Sequence, residues 1–130
     1  MKPVAVLIVL LAVSHASISA QGSRSVQIEM SEFAFRPAII HLQAGESVRL
    51  LLVNRGQLAH QFETGYLRTV STTVVGAGIR IDAPGLEFAR LDPGAALTVA
   101  FVPQRKGRFS FACTIEGHRE AGMVGIIDVR

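Results

Sequence analysis

Three side chains that can bind a metal follow one another at equal intervals near the end of the sequence. Cys113, His118 and Met123 lie five residues apart and offer a thiol, an imidazole and a thioether, which are soft and borderline ligands for transition metals. His60 is a fourth candidate, because it comes shortly after the turn signal Asn54-Arg55-Gly56. The sequence therefore predicts one metal site built from these four residues.

The types of donor favour copper over zinc. Zinc uses thiolates and imidazoles but gains little from a thioether, whereas copper binds all four groups. Four protein ligands also leave no open position for water or substrate, which a catalytic metal site requires. We therefore expect no enzyme activity. His15 and His41 are not expected to bind the metal, since His15 lies in the N-terminal leader and His41 on the outward face of a strand.

The segments that must position these residues are predicted strands. Apolar residues alternate with polar ones in several short stretches, and turn signals recur every 8 to 12 residues or so. No segment has a helical period. The pattern predicts an all-β fold, an antiparallel Greek-key β-sandwich of seven to eight strands. Cys113 then falls at the end of the second-last strand, and the loop from Cys113 to Met123 joins it to the last one. Examples of the alternating sets are Val26, Ile28 and Met30; Val48, Leu50 and Leu52; and Phe109, Phe111 and Cys113.

The N-terminus has the layout of a secretory signal peptide. Residues 4–13 are apolar and follow Lys2, and residues 14–20 are small or polar except for Ile18. We expect residues 1–20 to be removed, which leaves residues 21–130 as one copper-binding domain. No stable membrane insertion is expected, because the apolar run is shorter than the roughly 20 residues that span a bilayer. Its location is then periplasmic or secreted.

Composition limits the partners. The 130 residues carry a net charge of +3, but the positive side chains are scattered, and only Arg105 and Lys106 are adjacent. No basic stripe for nucleic acid is present, so no nucleic-acid partner is expected. Cys113 is the only cysteine, which excludes an internal disulfide. We expect a monomer.

The stretch from about residue 25 to residue 130 resembles the cupredoxin family of blue copper proteins. The resemblance is strongest in Leu91-Asp-Pro-Gly, in the Gly-Arg-Phe-Ser-Phe-Ala-Cys sequence of residues 107–113, and in the loop that follows. With four residues in each gap, this loop is similar to those of rusticyanin, auracyanin and sulfocyanin. The resemblance implies one copper ion, Cu(I) or Cu(II), held by His60, Cys113, His118 and Met123. Gln61 departs from the pattern, because many members have an asparagine there that tethers the two ligand loops.

The resemblance implies a one-electron carrier. Small residues flank His118 in its loop, namely Gly117, Ala121 and Gly122, so we expect His118 to be the most exposed part of the site and its redox protein donor and acceptor to dock on the surface around it. An alternative is a periplasmic protein for copper handling or resistance, which would use the same ligands without needing a reversible redox couple. A third possibility, a detached domain of a copper oxidase or nitrite reductase, is disfavoured because the chain lacks the additional histidine-rich motifs of a catalytic copper.

Overall fold

A computed structural model describes residues 22–130, so the predicted signal peptide lies outside the described residues. The described part is folded into eleven strands and one short 3-10 turn, Leu67–Thr69. It contains no helix long and apolar enough to cross a membrane. The strands are β1 (Arg24–Ser31), β2 (Ala34–Arg36), β3 (Ile39–Leu42), β4 (Val48–Asn54), β5 (His60–Glu63), β6 (Thr72–Gly76), β7 (Ile79–Ala83), β8 (Phe88–Leu91), β9 (Ala96–Phe101), β10 (Gly107–Ala112) and β11 (Val124–Val129).

The strands form two sheets, which confirms the predicted all-β sandwich. One sheet has the order β2-β1-β4-β9-β6-β7 and the other the order β3-β11-β10-β5-β8. Two details of the prediction are wrong. Residues 22–130 form eleven strands instead of seven to eight, and each sheet contains one parallel pair, β1 with β4 and β3 with β11. Alternation shows which side chains are buried but not the direction of the neighbouring strand. Strands of three or four residues are also too short to show a clear alternation.

The alternating apolar residues face one core between the sheets. Ile28, Leu50, Leu52 and Ile127 are fully buried, and Cys113 and Met123 belong to the same cluster of buried side chains. Burying one large aliphatic side chain contributes roughly 1.5–3 kcal/mol, so this core holds the strands that lead to the loop. The predicted ligands thus lie at one end of the core.

The hairpin of β10 and β11, which carries the loop, depends on one glycine. Gly125 pairs with Phe111 across the two strands. A Cβ atom at Gly125 would overlap Cζ of Phe111 and lie 2.6 Å from the carbonyl oxygen of Ala38. Because Phe111 is buried, its ring has no room to move aside, and only glycine fits at position 125.

Candidate metal centre

Three of the four predicted ligands meet in the fold. His60 is the first residue of β5, Cys113 directly follows β10, and His118 lies in the loop between β10 and β11. One ligand atom from each of these residues lies within 4.8 Å of the others. Cys113 Sγ and His118 Nδ1 are 3.3 Å apart, and the centroids of the two histidine rings are separated by 5.2 Å. The two loops that the sequence predicted to converge do so.

Met123 closes the same loop. Its backbone N–H donates to the carbonyl oxygen of His118 (3.0 Å), and its carbonyl oxygen accepts from the N–H of Cys113 (3.0 Å). The Met123 side chain is fully buried in the core cluster that contains Cys113. The structure therefore places Met123 beside the cysteine and histidine, and its role as the fourth ligand stays a prediction.

Glycines allow the sharp turns within this loop. Gly117 has a φ of 80° and Gly122 a φ of 100°, a region of backbone conformation that favours glycine. The N–H of Ala121 donates to the carbonyl oxygen of Gly117 (3.1 Å), and that of Gly122 donates to Arg119 (2.9 Å). These hydrogen bonds hold His118 in a compact turn.

The loop before His60 is held by one buried side chain, Asn54. Its Nδ2 donates to the carbonyl oxygens of Leu58 (2.8 Å) and Leu91 (2.9 Å), and its Oδ1 accepts from the N–H of Gly56 (2.9 Å). Asn54 is fully buried, so all its polar atoms are used inside the protein. The sequence identified this residue only as part of a turn signal; the structure shows that it fixes the loop that ends at His60.

Glu32 was not predicted as part of the site. Its Oε1 accepts from the backbone N–H of Gln57 (2.6 Å) and Leu58 (3.1 Å) and lies 3.6 Å from His60 Nε2. Hydrogen bonds from these backbone N–H groups, the Gln57 one first, lower the pKa of Glu32, so it carries a negative charge next to the histidine. Glu32 is in the turn after β1, 28 positions before His60, and no local pattern in the sequence links the two.

The surroundings of His60 fit a bound metal ion. Among the described residues, neither of its ring nitrogens has a hydrogen-bond partner, although both are buried. A buried polar group without a partner is costly, and a bond from one nitrogen to a metal would remove that cost. Burial lowers the pKa of His60, with a further contribution from His118, so the ring is neutral and has a lone pair to donate. Cys113 is a buried free thiol beside it.

Comparison with known proteins identifies the family. The family model of the cupredoxin-like domain matches residues 3–125. The chain belongs to the cupredoxin-like family. The sequence is 35% identical over 118 residues to the copper-resistant cuproprotein CopI of Rubrivivax gelatinosus, covering 86% of this chain and 70% of that protein.

Solved structures of copper proteins share the fold. Auracyanin A, described as a blue copper protein from Chloroflexus aurantiacus, matches with a TM-score of 0.57 and 17% identity over 84% of this chain and 100% of its own. A multicopper oxidase from Campylobacter jejuni matches with a TM-score of 0.62 and 15% identity over 82% of this chain, but the match spans 30% of the oxidase. The resemblance seen in the sequence is confirmed, and the predicted copper cofactor agrees with the family and with the three converging donors.

Gln61 tethers the two ligand loops of this cupredoxin. Its backbone N–H donates to Cys113 Sγ (3.3 Å), and its side-chain Nε2 donates to Thr114 Oγ1 (2.7 Å). Thr114 in turn donates to Glu63 Oε2 (2.7 Å). Glutamine thus makes the contact between loops that the resemblance assigns to an asparagine in many members of the family.

An exposed aromatic ring lies beside His118. His118 is 7% exposed, while His60, Cys113 and Met123 are all 0% exposed, so His118 is the most exposed of the four, as predicted. The ring of Phe33 stands edge-on to the His118 ring at a centroid distance of 5.2 Å. Phe33 is itself exposed, as are Leu58 and Val124. Sequence reasoning missed Phe33, because it reaches the site from the turn between β1 and β2.

Proposed function

We propose that this protein binds a single copper ion through His60, Cys113, His118 and Met123 and acts in copper handling and resistance outside the cytoplasm. One observation carries the proposal: a buried free thiol and two buried imidazoles converge with their ligand atoms within 4.8 Å of one another. The name of the relative from Rubrivivax gelatinosus, a copper-resistant cuproprotein, supports the same role.

The residues suit retention of a soft ion. A bound copper ion would be stable in two oxidation states and would bind sulfur and imidazole strongly. Cys113 would bind as the thiolate and the histidines as neutral rings. The four side chains are almost completely buried, so they would separate a bound ion from water and from other ligands, which would limit both its loss and its side reactions. An enclosed site without an open position does not suit catalysis on a bound substrate.

A second candidate function is one-electron transfer. His118 is the one predicted ligand that reaches the surface, and it does so beside the exposed ring of Phe33. The two loops are joined through Gln61 and closed by backbone hydrogen bonds, so the donors would move little between oxidation states. Small rearrangement permits fast electron exchange with a redox protein that docks around His118. Only this function needs a reversible redox couple.

Growth on copper tests the proposed function. A strain without the gene should become sensitive to copper, and the wild-type gene and the His41→Ala variant should restore tolerance. Cys113→Ser, which loses the thiolate, should not restore it. If the serine variant protects as well as the wild type, the site is not responsible for resistance.

The reduction potential and the electron self-exchange rate of the copper-loaded protein separate the two candidates. A reversible couple with fast exchange, combined with unchanged copper tolerance in the deletion strain, would favour the electron carrier. An irreversible or slow couple combined with copper sensitivity would favour copper handling.

A further inference from the structure

The outer strand of the six-stranded sheet is exposed and apolar. β7 pairs with β6 on one side only and forms the edge of the sheet. Its first four residues are exposed, including Ile79 (58% exposed) and Ile81 (54% exposed). Exposed apolar edge strands invite pairing with another strand, and proteins commonly protect them. β7 has no such cover among the described residues.

The two isoleucines lie on the side of the sheet that faces the core. Ile81 is opposite Val74 on β6, and Val74 packs partly against the core. Directly opposed residues share one face of a sheet, so Ile79 and Ile81 point to the core side but extend beyond the second sheet. Arg80 and Asp82 alternate with them and lie on the other face.

The free backbone groups of β7 belong to the charged residues. Ala77 (φ 48°) and Gly78 (φ 76°) form a two-residue turn between β6 and β7, and the residues that flank such a turn bond to each other. Hydrogen-bonded and non-hydrogen-bonded pairs alternate from there. Ile79, Ile81 and Ala83 therefore bond to β6, which leaves the N–H and C=O groups of Arg80 and Asp82 pointing away from the sheet.

We propose that two copies of this chain associate through antiparallel pairing of their β7 strands about a two-fold axis at Ile81. In this register Arg80 lies opposite the partner's Asp82, and Asp82 lies opposite the partner's Arg80. Each of these two pairs exchanges backbone hydrogen bonds through the groups that are free in one copy. On the other face, Ile81 meets the partner's Ile81 and the apolar edge becomes covered.

Charge complementarity identifies a second copy of this chain as the partner that pairs with β7. Within one chain Arg80 Nη2 lies 3.3 Å from Asp82 Oδ1, and Thr73 also donates to that oxygen. The two side chains are nevertheless 66% and 67% exposed, so each can also reach a charge on a facing strand. A two-fold axis at the residue between opposite charges automatically places each charge against its opposite. This association replaces the monomer expected from the sequence, and it is independent of the copper site.

Charge reversal tests the register directly. Arg80→Asp leaves only carboxylates on β7, and Asp82→Arg leaves only guanidinium groups, so like charges oppose each other in either homodimer. Sedimentation velocity at increasing protein concentration should show that the wild type approaches twice the monomer mass while each variant stays monomeric. An equal mixture of the two variants should form a heterodimer, and the Arg80→Asp/Asp82→Arg double variant should dimerise again.

A matched pair of isoleucine variants tests the apolar side. Ile81→Lys would place two ammonium groups together at the axis and should abolish the dimer. Ile39→Lys changes a comparably exposed isoleucine (47%) on β3, at the edge of the other sheet, and should dimerise like the wild type. Circular dichroism melts confirm that each variant is folded. The proposal would be overturned by a wild type that stays monomeric or by single charge variants that dimerise like the wild type. It would also be overturned if Ile39→Lys abolished the association.

Discussion

Asn54 offers the sharpest test of how the loop before His60 is held. Asn54→Ala removes three hydrogen bonds and leaves the carbonyl oxygens of Leu58 and Leu91 and the N–H of Gly56 without their partner. A buried polar group that loses its partner costs about 1–3 kcal/mol, and the partly exposed Leu58 contact falls at the lower end of that range. Even at about 1 kcal/mol for each of the three groups, we expect the free energy of unfolding to fall by at least about 3 kcal/mol. That is a large part of the roughly 5–15 kcal/mol that stabilises a typical domain.

Urea unfolding of the metal-free protein, followed by far-ultraviolet circular dichroism, measures this loss. Asn54→Asp should be at least as unstable, because a carboxylate cannot donate to the two carbonyl oxygens and instead places a buried negative charge against them. Gln27→Ala is the control, since the exposed Gln27 side chain donates only to Glu29, and it should change stability by no more than about 0.5 kcal/mol. A loss below about 1 kcal/mol for Asn54→Ala would refute the reasoning, since the loop would then be held by other contacts.

Three further predictions concern the copper-loaded protein. Met123→Leu should retain copper and raise the reduction potential, because losing a weak axial donor destabilises Cu(II) more than Cu(I). Met123→Gln should lower the potential through a harder oxygen ligand, and voltammetry that finds both potentials unchanged would place Met123 outside the site. Glu32→Gln should also raise the potential, because it removes a negative charge that favours Cu(II), and a potential that falls would contradict this role. Leu58→Asp and Ala121→Asp should slow electron exchange with redox proteins in stopped-flow measurements without changing the visible spectrum. Val102→Asp, at the opposite end of the sandwich, is the control, and equal exchange rates in all three variants would show that electrons enter elsewhere.

The sequence was sufficient to predict that His60, Cys113 and His118 meet, because the chemistry and spacing of the candidate donors are specific. A thiol, an imidazole and a thioether at equal intervals on one loop have few other uses, and His60 follows a recognisable turn. The all-β sandwich was predictable for a related reason, since short alternating segments separated by turns exclude helices.

Other parts of the site depend on contacts between strands that are distant in the chain. Glu32 and Phe33 reach His60 and His118 only because β1 lies beside β4, whose end leads into the loop before His60. That pair is parallel, and alternation does not specify the direction of pairing. The tether made by Gln61 to Thr114 likewise requires both loops to be in place.

Copper titration with visible absorption tests the central claim most directly. The wild-type protein and the His41→Ala variant should each bind one copper ion and develop an intense band from sulfur-to-copper charge transfer. Cys113→Ser should lack that band, because the thiolate is its source. The proposed site would be contradicted by a serine variant that keeps the band, or by a wild type that binds copper without developing it.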